Sequence, residues 1–84
     1  MNRITVKTEA GYSVSDKNIK AAVQRLGEFE DAYDALMNSQ EQIPKDLEIL
    51  RAQGKEKTVR YKEMVAQKLI NNSIAMFLER HGLR

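Results

Sequence analysis

The chain has 84 residues, 42% of them hydrophobic and 31% charged, with a formal net charge of +2 at pH 7 and no cysteine. That length allows one small domain, in which a lone copy buries only a little over ~60% of its unfolded surface, and the lack of thiols excludes disulfides and thiolate-held metal as staples. No apolar run approaches the ~20 residues of a membrane helix and no basic-then-apolar leader opens the chain, so the expected setting is the cytoplasm, without a membrane partner.

Residues 1–15 predict a short β-hairpin. Ile4 and Val6 alternate with Arg3, Thr5 and Lys7, Tyr12 and Val14 alternate with Ser13, and Gly11 can supply the positive φ of a tight turn. A lone two-stranded ribbon is barely stable in water, so the face of Ile4, Val6, Tyr12 and Val14 is expected to lie on a helix or to extend a sheet across a partner.

Ser15 is placed to cap a helix with its hydroxyl, and Asp16 suits the positive end of the helix dipole. The first helix is predicted over 16–53 and ended by Gly54 in the left-handed conformation. Within it Ile19, Ala22, Leu26, Phe29, Tyr33, Leu36, Gln40, Ile43, Leu47 and Leu50 follow a 3-4-3-4 spacing, and nine of the ten are apolar. This is a coiled-coil seam ~48 Å long, a surface that another helix must cover. Pro44 has no amide hydrogen and crowds the carbonyl four residues back. Because Ile43, Leu47 and Leu50 stay in phase with Ile19 to Leu36, one helix kinked at Pro44 is the reading adopted, the alternative being a break near Gln40. Gly27 costs ~1 kcal/mol relative to alanine inside a helix, which predicts close approach by the hairpin or a neighbouring helix.

A second helix is predicted over 57–81, with Gly82 just past its end. Its apolar residues divide, Tyr61, Met64, Val65, Leu69, Ala75 and Met76 on one side and Ile70, Ile74, Phe77 and Leu78 on the other. At ~36 Å it is too short to cover the seam. The fold class expected is therefore mainly α: an antiparallel, coiled-coil-like helical hairpin with an N-terminal β-hairpin, one domain over 1–84, assembled as a homodimer or higher oligomer. Its intersubunit seam is assigned to Leu26, Phe29, Tyr33, Leu36, Ile43 and Leu47 of the first helix and Ile70, Ile74, Phe77 and Leu78 of the second. Asn72, among Asn71 and Ser73 in the second helix, is either a buried amide that fixes register with Gln40 or a solvated group.

Charge is divided along the chain. Residues 16–50 carry eight acids against four bases, and residues 51–84 carry eight bases, Arg84 included, against three acids. Two helices of opposite sign attract when folded antiparallel. Glu30 with Asp34 and Glu28 with Asp31 share helix faces, but a metal site in a bundle needs carboxylates or histidines from a facing helix, and the second helix offers lysines and asparagines. The acidic stretch Glu28, Glu30, Asp31 and Asp34 is read as a solvated face available to a partner. Arg51, Lys55, Lys57, Arg60 and Lys62 cluster at the interhelical tip, the best candidate for a partner or phosphate contact. Tyr61 among them either stacks on a base or belongs to the core. The only histidine is His81 at a helix end, no serine sits in a nucleophile elbow, and the four glycines lack phosphate-loop spacing. No catalytic residue, metal or cofactor is expected.

The runs Arg25-Leu26-Gly27-Glu28-Phe29-Glu30-Asp31-Ala32-Tyr33-Asp34-Ala35-Leu36 and Gly54-Lys55-Glu56-Lys57-Thr58-Val59-Arg60-Tyr61-Lys62-Glu63 resemble stretches of small helical hypothetical proteins carried by prophages and mobile elements of gut Firmicutes. The resemblance covers most of the chain and carries no chemical motif. It implies a non-enzymatic protein that binds or inhibits a host or phage protein, or an accessory nucleic-acid-binding protein using the basic tip.

Overall fold

The computed structural model describes residues 1–83; Arg84, counted above among the C-terminal bases, lies outside them. The elements in order are β1 (Val6–Thr8), β2 (Gly11–Ser13), a 3-10 turn (Asp16–Asn18), α1 (Ile19–Ala52) and α2 (Val59–Arg80). The expected helical hairpin with an N-terminal β-hairpin is what the chain forms. It divides into two compact units, Met1–Tyr33 and the residues from Asp34 onward.

In the first unit β1 and β2 pair antiparallel, Val6 with Ser13, Lys7 with Tyr12 and Thr8 with Gly11. Gly11 has φ 127°, a value that glycine adopts without a Cβ penalty. This register corrects the expected apolar face. Because the turn Glu9-Ala10 sets Thr8 opposite Gly11, even-numbered residues pair with odd ones, and Val6 and Tyr12 fall on opposite faces. Both are exposed, while Ile4 and Val14 are half-buried. Tyr12 is occupied locally, with the Arg3 guanidinium 5.5 Å from its ring centroid. Arg25 Nη1 donates to the Asn2 carbonyl at 2.7 Å, tying the opening segment to α1.

Ser15 does stand before the first helical turn, yet its hydroxyl caps nothing; its carbonyl accepts instead from the Asn18 amide at 2.8 Å. The 3-10 turn takes up residues 16–18, so the α-helix begins at Ile19 rather than 16. Gly27 also departs from expectation. A Cβ built there meets nothing within 4 Å, so no close approach offsets the helix penalty of glycine. Gly27→Ala is therefore expected to raise the unfolding free energy by ~1 kcal/mol, read as a higher urea midpoint by circular dichroism with an unchanged slope.

In the second unit α1 and α2 pack antiparallel. Ser39 and Gln40, earlier in α1, link to Asn71 and Asn72, later in α2, while Arg51 near the end of α1 links to Tyr61 near the start of α2. Helix α1 is continuous through Pro44, so the helix does not break there. The missing amide is tolerated because Ile43 and Leu47, one on each side of the proline, are both buried, and packing outweighs one lost backbone bond. Past Ala52 the chain turns by a Schellman motif, Lys55 N–H to Leu50 C=O at 2.9 Å and Gly54 N–H to Arg51 C=O at 3.0 Å, with Gly54 at φ 68°. Thr58 then caps α2, its hydroxyl oxygen accepting from the Tyr61 amide at 3.2 Å.

The side of α2 turned to α1 carries the half-buried Tyr61, Met64, Val65, Ala75 and Leu78 and the buried Asn71. Leu69 and Met76, expected on that side, are exposed, and Leu78, expected on the other, belongs to it. Helical phase explains both corrections: the packed positions 61, 64, 71, 75 and 78 keep heptad spacing, while 69 and 76 lie toward the flank.

Candidate interaction surfaces

The buried part of the second unit is small and partly polar. Ile43 and Leu47 are the buried apolar residues, and Asn71 is the buried polar one, 5% exposed. Asn71 Nδ2 donates to Ser39 Oγ at 2.8 Å, and Asn71 Oδ1 accepts from Gln67 Nε2 at 2.7 Å. Beside them Gln40 Nε2 donates to Asn72 Oδ1 at 3.0 Å. The pairing expected of Gln40 and Asn72 is present, but Asn72 is exposed and the buried amide is its neighbour Asn71. The missed signal was phase: Asn71, not Asn72, continues the spacing of Tyr61, Met64, Ala75 and Leu78.

At the tip Arg51 Nη2 donates to Tyr61 Oη at 3.0 Å, and Arg51 Nη1 lies 3.9 Å from Glu48 Oε2. The Tyr61 hydroxyl holds the Arg51 pKa above its ordinary value, first through this hydrogen bond and then through its charge. Tyr61 is half-buried, on the side of α2 that packs on α1, and its hydroxyl is engaged by Arg51. Lys55, Lys57, Arg60 and Lys62 are exposed, and none forms an ion pair among the described residues.

The assigned seam residues separate by exposure. Ile43 and Leu47 are buried, Tyr33, Leu36 and Leu78 half-buried, and Leu26, Phe29, Ile70, Ile74 and Phe77 exposed. In the first unit Ile19, Val23, Leu26 and Phe29 make an uncovered apolar stripe on α1. The exposed Glu30 falls on this stripe, whereas the exposed Asp31 and Glu28 fall off it, Glu28 accepting from Gln24 Nε2 at 3.0 Å on the far side of the helix. Asp34, at the start of the second unit, is exposed too. Val23 escaped sequence reading because it lies one position off the heptad.

Among the described residues no three His, Asp or Glu side chains converge on a point that could hold a metal ion, and no helix is long and apolar enough to cross a membrane. His81 is exposed and stacks on Phe77 with ring centroids 4.5 Å apart. A shallow hollow lined by Asn38, Ser39, Glu41, Gln42, Ile43 and Lys45 lies along α1 alone. Compared with known families, curated proteins and solved structures, the chain matches no family model, no curated protein and no solved structure.

Proposed function

We propose that the chain is a non-enzymatic protein-interaction module, of the phage or mobile-element kind its sequence resembles, that docks on a host or phage protein. The observation that carries the reading is the apolar stripe Ile19, Val23, Leu26 and Phe29, left open on α1 with the exposed Glu30 among them. Contiguous exposed apolar surface marks a protein-binding site, and the Glu30 carboxylate within it favours a partner that offers a lysine or arginine there. Helix-in-groove recognition uses this spacing of anchors. A second reading, an accessory nucleic-acid-binding protein, is favoured by the four exposed tip cations Lys55, Lys57, Arg60 and Lys62.

One capture experiment separates the two. A partner cross-linked from host lysate by the wild-type chain is expected to be lost with Leu26→Glu, to weaken about tenfold with Glu30→Lys, and to persist with Lys55→Glu/Lys57→Glu/Arg60→Glu. Capture unaffected by Leu26→Glu would sink the docking face. A gel shift of labelled DNA or RNA that only the tip variant abolishes would establish the second reading instead.

A further inference from the structure

The side of α2 turned away from α1 carries a seam of its own. Val59, Glu63, Ala66, Ile70, Ser73 and Phe77 follow one another at 4-3-4-3-4 spacing, which a helix of 3.6 residues per turn lays along one stripe. Val59, Ile70 and Phe77 are 72%, 52% and 59% exposed, and Leu69, Ile74 and Met76, also exposed, widen the stripe at its C-terminal end. The chain as a whole presents 7107 Å² of accessible surface, against roughly 5,100 Å² for a folded monomer of 9.6 kDa. That surplus belongs to the chain as a whole, the stripe on α1 included, and leaves room for an interface that takes ~800 Å² from each partner.

We infer that this stripe is the self-association face: it is covered by the same stripe of a second copy, with the two α2 helices antiparallel. The sequence of the stripe selects that arrangement. Set antiparallel about a point between Asn71 and Asn72, Phe77 meets Ala66 of the second copy and Ile70 meets Ser73, so these two large side chains each face a small one. In the same register Glu63, the acid of the stripe, meets Arg80 of the second copy. A parallel pairing in register would set Glu63 against Glu63 and Phe77 against Phe77, combining like-charge repulsion with overpacking. Within one chain Glu63 and Arg80 lie ~25 Å apart along the helix axis, so any coupling between them is intermolecular. The inference goes beyond the partner-binding reading and stands without it, because it uses a different helix and no foreign protein.

Sedimentation equilibrium of the purified full chain at micromolar concentration and low salt tests it. The wild type is expected to be a dimer. Glu63→Arg and Arg80→Glu are each expected to raise the dimer Kd about tenfold, since both symmetric sites pass from attraction to repulsion. A 1:1 mixture of the two variants should recover wild-type affinity as a heterodimer, because every site then sets a base against an acid. Phe77→Glu is expected to give a monomer; if that variant also loses its helical circular dichroism, the mixing result still decides. A wild type that stays monomeric up to ~100 µM, or a mixture no tighter than its components, overturns the proposal.

Discussion

Leu47→Ala is expected to cost 2–5 kcal/mol and to leave the helical hairpin largely unfolded at temperatures where the wild-type chain is folded. The range is that of leucine truncation in packed cores, where the lost transfer free energy is joined by a cavity that neighbouring groups fill incompletely. Leu47 is 5% exposed, and Ile43 is the other buried apolar side chain among the described residues. A small domain holds only a few kcal/mol in reserve, so one such truncation removes much of it. Urea denaturation followed at 222 nm, at one fixed protein concentration for every variant, is the measurement. Leu26→Ala, at an exposed position of the same heptad stripe, is the control and should shift the unfolding free energy by less than about 0.5 kcal/mol. Equal effects at Leu47 and Leu26 would show that the core lies elsewhere.

The second large effect concerns specificity as much as stability. Asn71→Ala is expected to cost about 1–2 kcal/mol, because it removes two hydrogen bonds and leaves the half-buried Ser39 hydroxyl without its donor. The apolar double replacement Asn71→Leu/Ser39→Ala has the opposite sign. It deletes both members of the buried pair and adds hydrocarbon, and so should match or exceed the wild-type midpoint. Its cost is uniqueness. A buried amide in a helix seam holds the two helices in one register, since any slip leaves it unpaired. The double variant is expected to show more backbone amide resonances than residues in a nitrogen-proton correlation spectrum, with the register of α1 on α2 no longer single. A spectrum with one sharp resonance per residue would show that the amide does not set the register.

The parts of the fold that were legible in the sequence are those governed by local rules. Gly54 and Gly82, at φ 68° and 77°, end their helices because glycine takes the left-handed conformation at little cost, and those positions could be read without knowing what packs where. The hairpin was legible as an element but not in its faces, since one residue in the turn decides whether Val6 joins Tyr12, and alternation alone does not count turn residues. The phase of α2 was misread for a related reason. With apolar side chains almost all round the helix, hydrophobicity does not say which arc meets α1, and the polar Asn71 belongs to the buried arc. Gly27 was given a packing role that the open space around it does not support. The acidic and basic clusters were legible as clusters, and the Glu48–Arg51 pair at i,i+3 is local, but the hydrogen bond from Arg51 to Tyr61 follows from the close approach of two helix ends and has no local signature.

The three cross-helix links differ in the amount of chain they enclose. Arg51 and Tyr61 are 10 residues apart in sequence, whereas Ser39 and Asn71, like Gln40 and Asn72, are 32 apart. Loop closure grows costlier with enclosed length, by ~0.6 kcal/mol for each doubling, so the tip link is the least demanding to form and each link made there shortens the loop that the next must close. The pair of helices is thus set to zip from Gly54 and Thr58 toward the amides. Rapid closure of that kind, built on contacts near in sequence, shortens the time that Ile70, Ile74 and Phe77 spend on a chain with no fixed orientation.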